Sequence, residues 1–166
     1  MKDHLCPSRR LSQPVTTNPD GRRVIDIDSY APYFLTAVNT ALSRGASQLY
    51  LREFGIGVTE WRVMSWIATE PGIPASRVCE VIMLDKSAVS RSVARLDELG
   101  FLEAAASGND PRRKMLSLSA AGLALHDRIL ERALSREARL IEGVEPEDLE
   151  AWLRVMRILR RNVERL

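Results

Sequence analysis

The chain has 166 residues, 45% of them hydrophobic and 28% charged, with a formal net charge of +2. Those values describe an ordinary folded chain and exclude a disordered or collagen-like polymer. With so small a net charge, any nucleic-acid footprint has to come from where the charges sit rather than from their total.

No apolar run approaches the ~18 residues that a bilayer-spanning helix needs. The opening "MKDHLCPSRRLSQPVTTNPDGRR" lacks the apolar stretch of a secretory signal, so a cytoplasmic location without membrane contact is expected. Cys6 and Cys79 form neither a disulfide framework nor a zinc-binding spacing; two free thiols, no metal and no cofactor are expected.

Residues 1–28 hold Pro7, Pro14 and Pro19 among Ser, Thr, Asn and Asp with little periodicity, which reads as a flexible, solvated arm. The alternative is an arm that touches phosphates through Arg9–Arg10 and Arg22–Arg23. From Ser29 to Phe54 the pattern is helical, with Phe34, Val38, Ala41, Gly45 and Leu49 on one stripe and Leu35, Leu42 and Ala46 beside it. So wide an apolar face predicts burial against more than one partner. "GIGVT" breaks this helix, and Thr59 is expected to cap a second, "EWRVMSWIAT", with Trp61, Met64, Ile67 and Ala68 facing inward. Pro74 suits the first turn of a short third helix that runs through Ile82.

The stretch "DKSAVSRSVARLDELG", 85–100, has two kinds of surface. Val89, Val93, Leu96 and Gly100 recur at helical steps on one face. Ser87, Ser90, Arg91 and Arg95, all hydrogen-bond donors, occupy the others. Asp85 is the expected N-cap and Gly100 the C′ stop. "FLEAA" and "KMLSL" then read as two short strands around a Gly-Asn-Asp-Pro turn, joined by a loop expected to project. In that loop Asp110 is close enough to orient the Arg112 guanidinium, while Arg113 and Lys114 add charge. A long helix from about Ala120 to Glu142 carries Leu123, Leu130, Leu134 and Ile141. After "GVEPED", Leu149, Trp152, Met156, Leu159, Val163 and Leu166 form a heptad seam that needs a packing partner.

The middle of the chain therefore orders as helix, short helix, turn, helix, strand, basic loop, strand: a winged helix-turn-helix. The expected fold class is mainly α with a small β-hairpin wing and a helical dimerisation region. The boundaries are an arm at 1–28, a dimerisation helix at 29–54, a DNA-binding domain at 55–118 and C-terminal dimerisation helices at 119–166. In such a unit the second helix of the pair enters the major groove of double-stranded DNA. The expected DNA contacts are Lys86, Ser87, Ser90, Arg91 and Arg95, with Asp110, Arg112, Arg113 and Lys114 from the wing. For Arg95 the alternative is pairing with Asp97, Glu98 or a residue of another helix.

"DPRRKMLSLS" resembles the D-x-R-x-x-x-L-x-L-T signature of the MarR family of bacterial transcriptional regulators, with Ser119 in place of the threonine. "SAVSRSVARLDELGFLE" is similar to that family's recognition helix and first wing strand, and "GVTEWRVMSWIA" to the helix before it. The resemblance spans 29–166 in element order. Two departures are "AAA" at 104–106, where relatives often carry an arginine, and a longer N-terminal arm. The resemblance implies a homodimer on a pseudo-palindromic operator, a repressor by family habit, released by a small aromatic acid, a phenol or a thioester of one. Tyr30, Tyr33, Trp61, Trp66 and His126 are the candidate aromatic walls of the effector pocket, and Asn39, Ser43, Arg44 and Arg62 its candidate polar anchors. Each aromatic, taken singly, also suits the core. Cys79 reads as a small buried group, and Cys6 lies too far upstream for the family's peroxide-sensing position. Two rival functions remain: an architectural DNA binder without a ligand, and a small enzyme acting on an aromatic acid. The enzyme reading lacks any nucleophile elbow, metal-spaced cluster or phosphate-cradling glycine loop.

Overall fold

A computed structural model describes residues 11–82, 84–107 and 110–166, the side chains of 106–113 excepted. The chain forms two compact units, dividing between Thr59 and Glu60.

In the first unit, β1 (Val15–Thr17) and β2 (Arg23–Ile25) pair antiparallel, with Val15 opposite Ile25 and Thr17 opposite Arg23. Periodicity predicted no regular structure here. Turn chemistry supplies the reason: in "NPDG" the proline presets its own backbone and Gly21 takes φ 75°. Gly21 N–H donates to the Asn18 carbonyl at 3.0 Å, and Arg22 N–H to Asn18 Oδ1 at 2.9 Å. The helix α1 (Ala31–Phe54) follows, two residues later than expected, and stops at Gly55, whose N–H bonds the Leu51 carbonyl. Ala46 and Tyr50 are buried, whereas Phe34, Leu35 and Val38 on the first half are exposed.

Helix α2 (Val58–Thr69) begins one residue before the predicted cap, so Thr59 lies inside its first turn rather than at its boundary.

The remaining elements of the second unit are β3 (Ile73–Pro74), α3 (Ala75–Ile82), α4 (Lys86–Glu98), β4 (Leu102–Ser107), β5 (Asp110–Leu118), α5 (Ala120–Leu140) and α6 (Pro146–Val163). The sheet order is β3-β5-β4, all antiparallel. Pro74 is thus the end of an edge strand and not the first turn of α3. A proline survives at an edge because it removes no inward ladder bond. Gly72 N–H donates beside it to the Leu116 carbonyl at 2.9 Å.

The β4–β5 pairing runs from Leu102↔Leu118 to Ala106↔Lys114 and then jumps to Ser107↔Asp110. The strand pairing therefore extends to Ser107 and Asp110, and the residues between them, where sequence places a projecting loop, lie outside the described residues. The excess chain, 111–113, is taken up as a bulge in β5, where Pro111 has no N–H to contribute to a ladder.

Val63, Met64, Ile67, Ile73, Val78, Val89, Leu96, Leu102, Leu116, Leu118, Leu125 and Ile129 are buried and make the core of this unit. Each such side chain is worth about 1.5–3 kcal/mol when fully buried, so the seating of α4 is set by its back and not by its surface contacts. Trp61, expected in that core, is half-buried, and Val63 takes the inward position. On α5 the inward face is Gly122, Leu125 and Ile129; of the stripe read from sequence, Leu123, Leu130 and Leu134 are exposed, and Ile141, just past the helix end, is half-buried. No residue of α6 is buried: Leu149, Met156 and Leu159 are half-covered, while Trp152 and Val163 stand exposed. No helix among the described residues is long and apolar enough to cross a membrane.

Candidate nucleic-acid interface

The start of α4 is defined by Asp85, whose carboxylate accepts from Ala88 N–H at 2.9 Å. Its end is a Schellman stop: Gly100 N–H bonds the Asp97 carbonyl, and Phe101 N–H bonds that of Leu96, with Gly100 at φ 74°. Between these caps Val89, Ser92 and Leu96 are buried and Val93 is half-buried. Lys86, Ser87, Ser90, Arg91, Ala94 and Arg95 are exposed. At 100° per residue, 87, 90, 91, 94 and 95 fall on one ridge, opposite the buried side.

That ridge is chemically uniform. From 86 to 96 the helix carries two arginines, a lysine and no acid, whereas Asp97 and Glu98 crowd its far end. The half that carries Lys86 to Arg91 therefore suits phosphate and base edges, and the far end repels phosphate. Arg95 pairs with Glu98 at 3.6 Å, both side chains being more than half exposed. Such a pair contributes about 0–1 kcal/mol, which leaves Arg95 able to exchange its carboxylate for another anion.

Lys114 is exposed on β5, opposite Ala106. The side chains of Asp110, Arg112 and Arg113 lie outside the described residues, although their backbone belongs to β5. Cys6 is likewise outside. Cys79 is half-buried on α3, with its thiol 3.5 Å from the Ala75 carbonyl.

Of the aromatic residues singled out for an effector, Trp61 and His126 meet. The Trp61 and His126 rings lie with centroids 5.2 Å apart at 32°, and His126 Nδ1 is 3.0 Å from Asp127 Oδ1. Arg62 and Trp66 are half-buried on α2. Tyr33, Asn39 and Arg44 are exposed on α1 in the other unit, with Ser43 Oγ 3.5 Å from Asn39 Oδ1.

Two features escaped the sequence reading. Ser92, the one buried polar residue among those described, donates its hydroxyl to Glu60 Oε1 at 2.8 Å, tying α4 to the first turn of α2. Its place between Val89 and Leu96 on the apolar face was the available signal. The second is Ser119, the N-cap of α5. Its oxygen accepts from Gly122 N–H at 3.0 Å while its hydroxyl donates to the Gly100 carbonyl at 2.7 Å, and its N–H reaches the Phe101 carbonyl at 3.1 Å. The hydroxyl residue at the end of the wing signature thus joins α5 to the stop of α4.

Residues 54–113 match the model of the MarR family. Among solved structures, the chain is similar to a MarR/EmrR family transcriptional regulator from Acinetobacter sp. ADP1, with 29% identity and a TM-score of 0.79 over 86% of this chain and 100% of that one. The PcaV transcriptional regulator from Streptomyces coelicolor, solved in complex with its natural ligand, is 20% identical with a TM-score of 0.71, over 83% of this chain and 96% of that one. FabT from Streptococcus pneumoniae, solved in complex with DNA, is 21% identical with a TM-score of 0.66, over 84% and 98%. The last two likenesses are of fold. No curated protein sequence matches the chain.

Proposed function

We propose that the chain, whose residues 54–113 match the MarR family model, is a DNA-binding transcriptional regulator of that family and acts as a homodimeric repressor in the cytoplasm, released from a pseudo-palindromic operator by a small aromatic ligand. The observation that carries the DNA-reading part is the ridge of α4. Ser87, Ser90 and Arg91 stand exposed on a helix whose back is held in the core. Arginine forks onto guanine O6 and N7, and serine bonds base edges or phosphate. Arg95 and the wing residues Asp110, Arg112, Arg113 and Lys114 complete the proposed contact set with Lys86. The DNA complex of FabT, a fold neighbour, supports the same assignment.

Homodimerisation is supported by apolar surface that one protomer leaves uncovered. Phe34, Leu35 and Val38 are exposed on α1; Leu123, Leu130 and Leu134 on α5; and Trp152, Val155 and Ile158 on α6. Stripes of this kind at helical spacing mark contact surfaces, and an isologous pair would cover them in both copies at once. The aromatic effector is supported by the Trp61–His126 ring pair, with Arg62 and Trp66 on the same helix as Trp61, and by PcaV's having been solved with its natural ligand. Tyr33, Asn39 and Arg44 are proposed contacts for it on the strength of the family resemblance alone.

A fluorescence-anisotropy titration of the full chain on duplexes from the region upstream of its own gene tests the assignment. Salt-sensitive binding with a preference for a palindromic fragment is expected, and equal affinity for a scrambled duplex would overturn it. Hydroxybenzoates, hydroxycinnamates and their CoA thioesters should raise the melting temperature and weaken the complex. Silence across the set would favour a ligand-independent architectural protein.

A further inference from the structure

Burying Ser92 on the back of the DNA-reading helix has a consequence for what its front can read. Apolar contacts are non-directional, so Val89, Val93 and Leu96 set which face of α4 turns inward but restrain a small rotation about its axis less sharply than a hydrogen bond does. A helix with its side chains is ~10–12 Å across, so a turn of ~20° sweeps a side-chain tip by ~2 Å. That displacement destroys a base-edge hydrogen bond, whose N–H···O donor–acceptor distance must fall between about 2.7 and 3.2 Å. It leaves a long arginine or lysine still able to find a phosphate. A directional bond across the back of α4 is what would separate these two outcomes, and Ser92 Oγ–Glu60 Oε1, at 2.8 Å, is such a bond.

We propose that the Ser92–Glu60 hydrogen bond sets the rotation of α4 and is thereby a determinant of sequence discrimination, although neither residue touches DNA. Ser92 is only 3% exposed, on the side of α4 away from Ser87, Ser90, Arg91 and Arg95. Glu60 lies in the first turn of α2, where a carboxylate is favoured by the helix dipole and is held in place by its own helix. The two are positioning residues. The bond links α2, which supports the motif, to the helix that reads, and it anchors α4 midway between its Asp85 cap and its Gly100 stop.

The inference rests on the DNA-binding reading, and the test separates the two. Full-length parent protein selects duplexes from a random-sequence pool, and affinities are then measured for the enriched duplex and a scrambled one of equal length. Ser92→Ala is expected to bind the scrambled duplex within about 2-fold of the parent while its preference for the enriched duplex falls on the order of 10-fold, the scale of one lost base contact. Glu60→Gln, whose amide oxygen still accepts from the serine hydroxyl, should retain the preference, and Glu60→Ala should lose it. Melting curves fix a working temperature at which every variant is folded. A Ser92→Ala protein with a lower melting temperature but the parent's preference would overturn the proposal, because a merely structural role predicts that result. If Ser92→Ala does not fold, the Glu60 pair decides: equal losses in the Gln and Ala variants overturn it. A parent protein that enriches no sequence refutes the DNA-reading assignment itself, and this inference with it.

Discussion

Gly122→Ala should destabilise the second unit, although alanine is the better helix former. A Cβ at 122 would meet the Phe101 carbonyl oxygen closer than real contacts allow, with the carbonyl carbon at 3.0 Å and the Cα at 3.3 Å. Relief requires the first turn of α5 to move out by well over ~1 Å to reach an ordinary contact near ~3.5 Å. The same first turn is bonded to Gly100 and Phe101 through Ser119, at 2.7 and 3.1 Å, and both bonds would stretch past their useful range. Two such bonds are worth about 1 kcal/mol each, and forced packing costs roughly 1–3 kcal/mol. Helix propensity returns at most about 1 kcal/mol. The net loss is about 2–4 kcal/mol, or roughly 5–15 °C in Tm for a chain of this size. Urea and thermal unfolding, followed by circular dichroism at matched protein concentration, measure it. Ala121→Gly, at the exposed neighbouring position, provides the opposite control, since only propensity acts there and it should cost about 1 kcal/mol or less. If Gly122→Ala proves as stable as the parent, or the two variants rank in propensity order, the close approach of α5 to Phe101 is not what holds that junction.

Three further outcomes are expected. Asp85→Ala removes the carboxylate that accepts from Ala88 N–H and should cost about 1 kcal/mol in urea unfolding, with Asp85→Ser recovering most of it. Arg91→Ala should weaken operator binding by about 1–3 kcal/mol, roughly 10- to 100-fold; a matching loss of preference marks a base contact, while a salt slope lower by about 1 marks a phosphate contact. Trp152→Glu places a charge on the exposed apolar face of α6 and should shift sedimentation velocity at micromolar concentration from dimer to monomer; an unchanged dimer would exclude that face from the interface.

Much of the winged unit was legible because its signals are local. Asp85 three residues before Ala88, and Gly100 after the last periodic leucine, act through bonds within one turn of helix, so their chemistry is readable without a fold. The hairpin at 15–25 was equally local. "NPDG" carried its signal, and weighting apolar period over turn chemistry concealed it. The residues proposed for an effector were less legible. Trp61 and His126 lie far apart in the chain, and only the packing of α5 onto the core brings their rings together.

The order of the elements, their caps and the polar ridge of α4 follow from the amino-acid sequence alone, since helical period and capping are fixed by neighbours within a few residues. Which apolar stripe turns inward was decided by the tertiary structure. On α5, Leu125 and Ile129 compete with Leu123, Leu130 and Leu134 for the same core, and sequence spacing ranks them equally. The Ser92–Glu60 bond, the pairing of β3 with β5 and the contact of Gly122 with Phe101 likewise depend on distances between segments apart in the chain. Those distances are set by how side-chain volumes fill one shared interior, a quantity that no local pattern encodes.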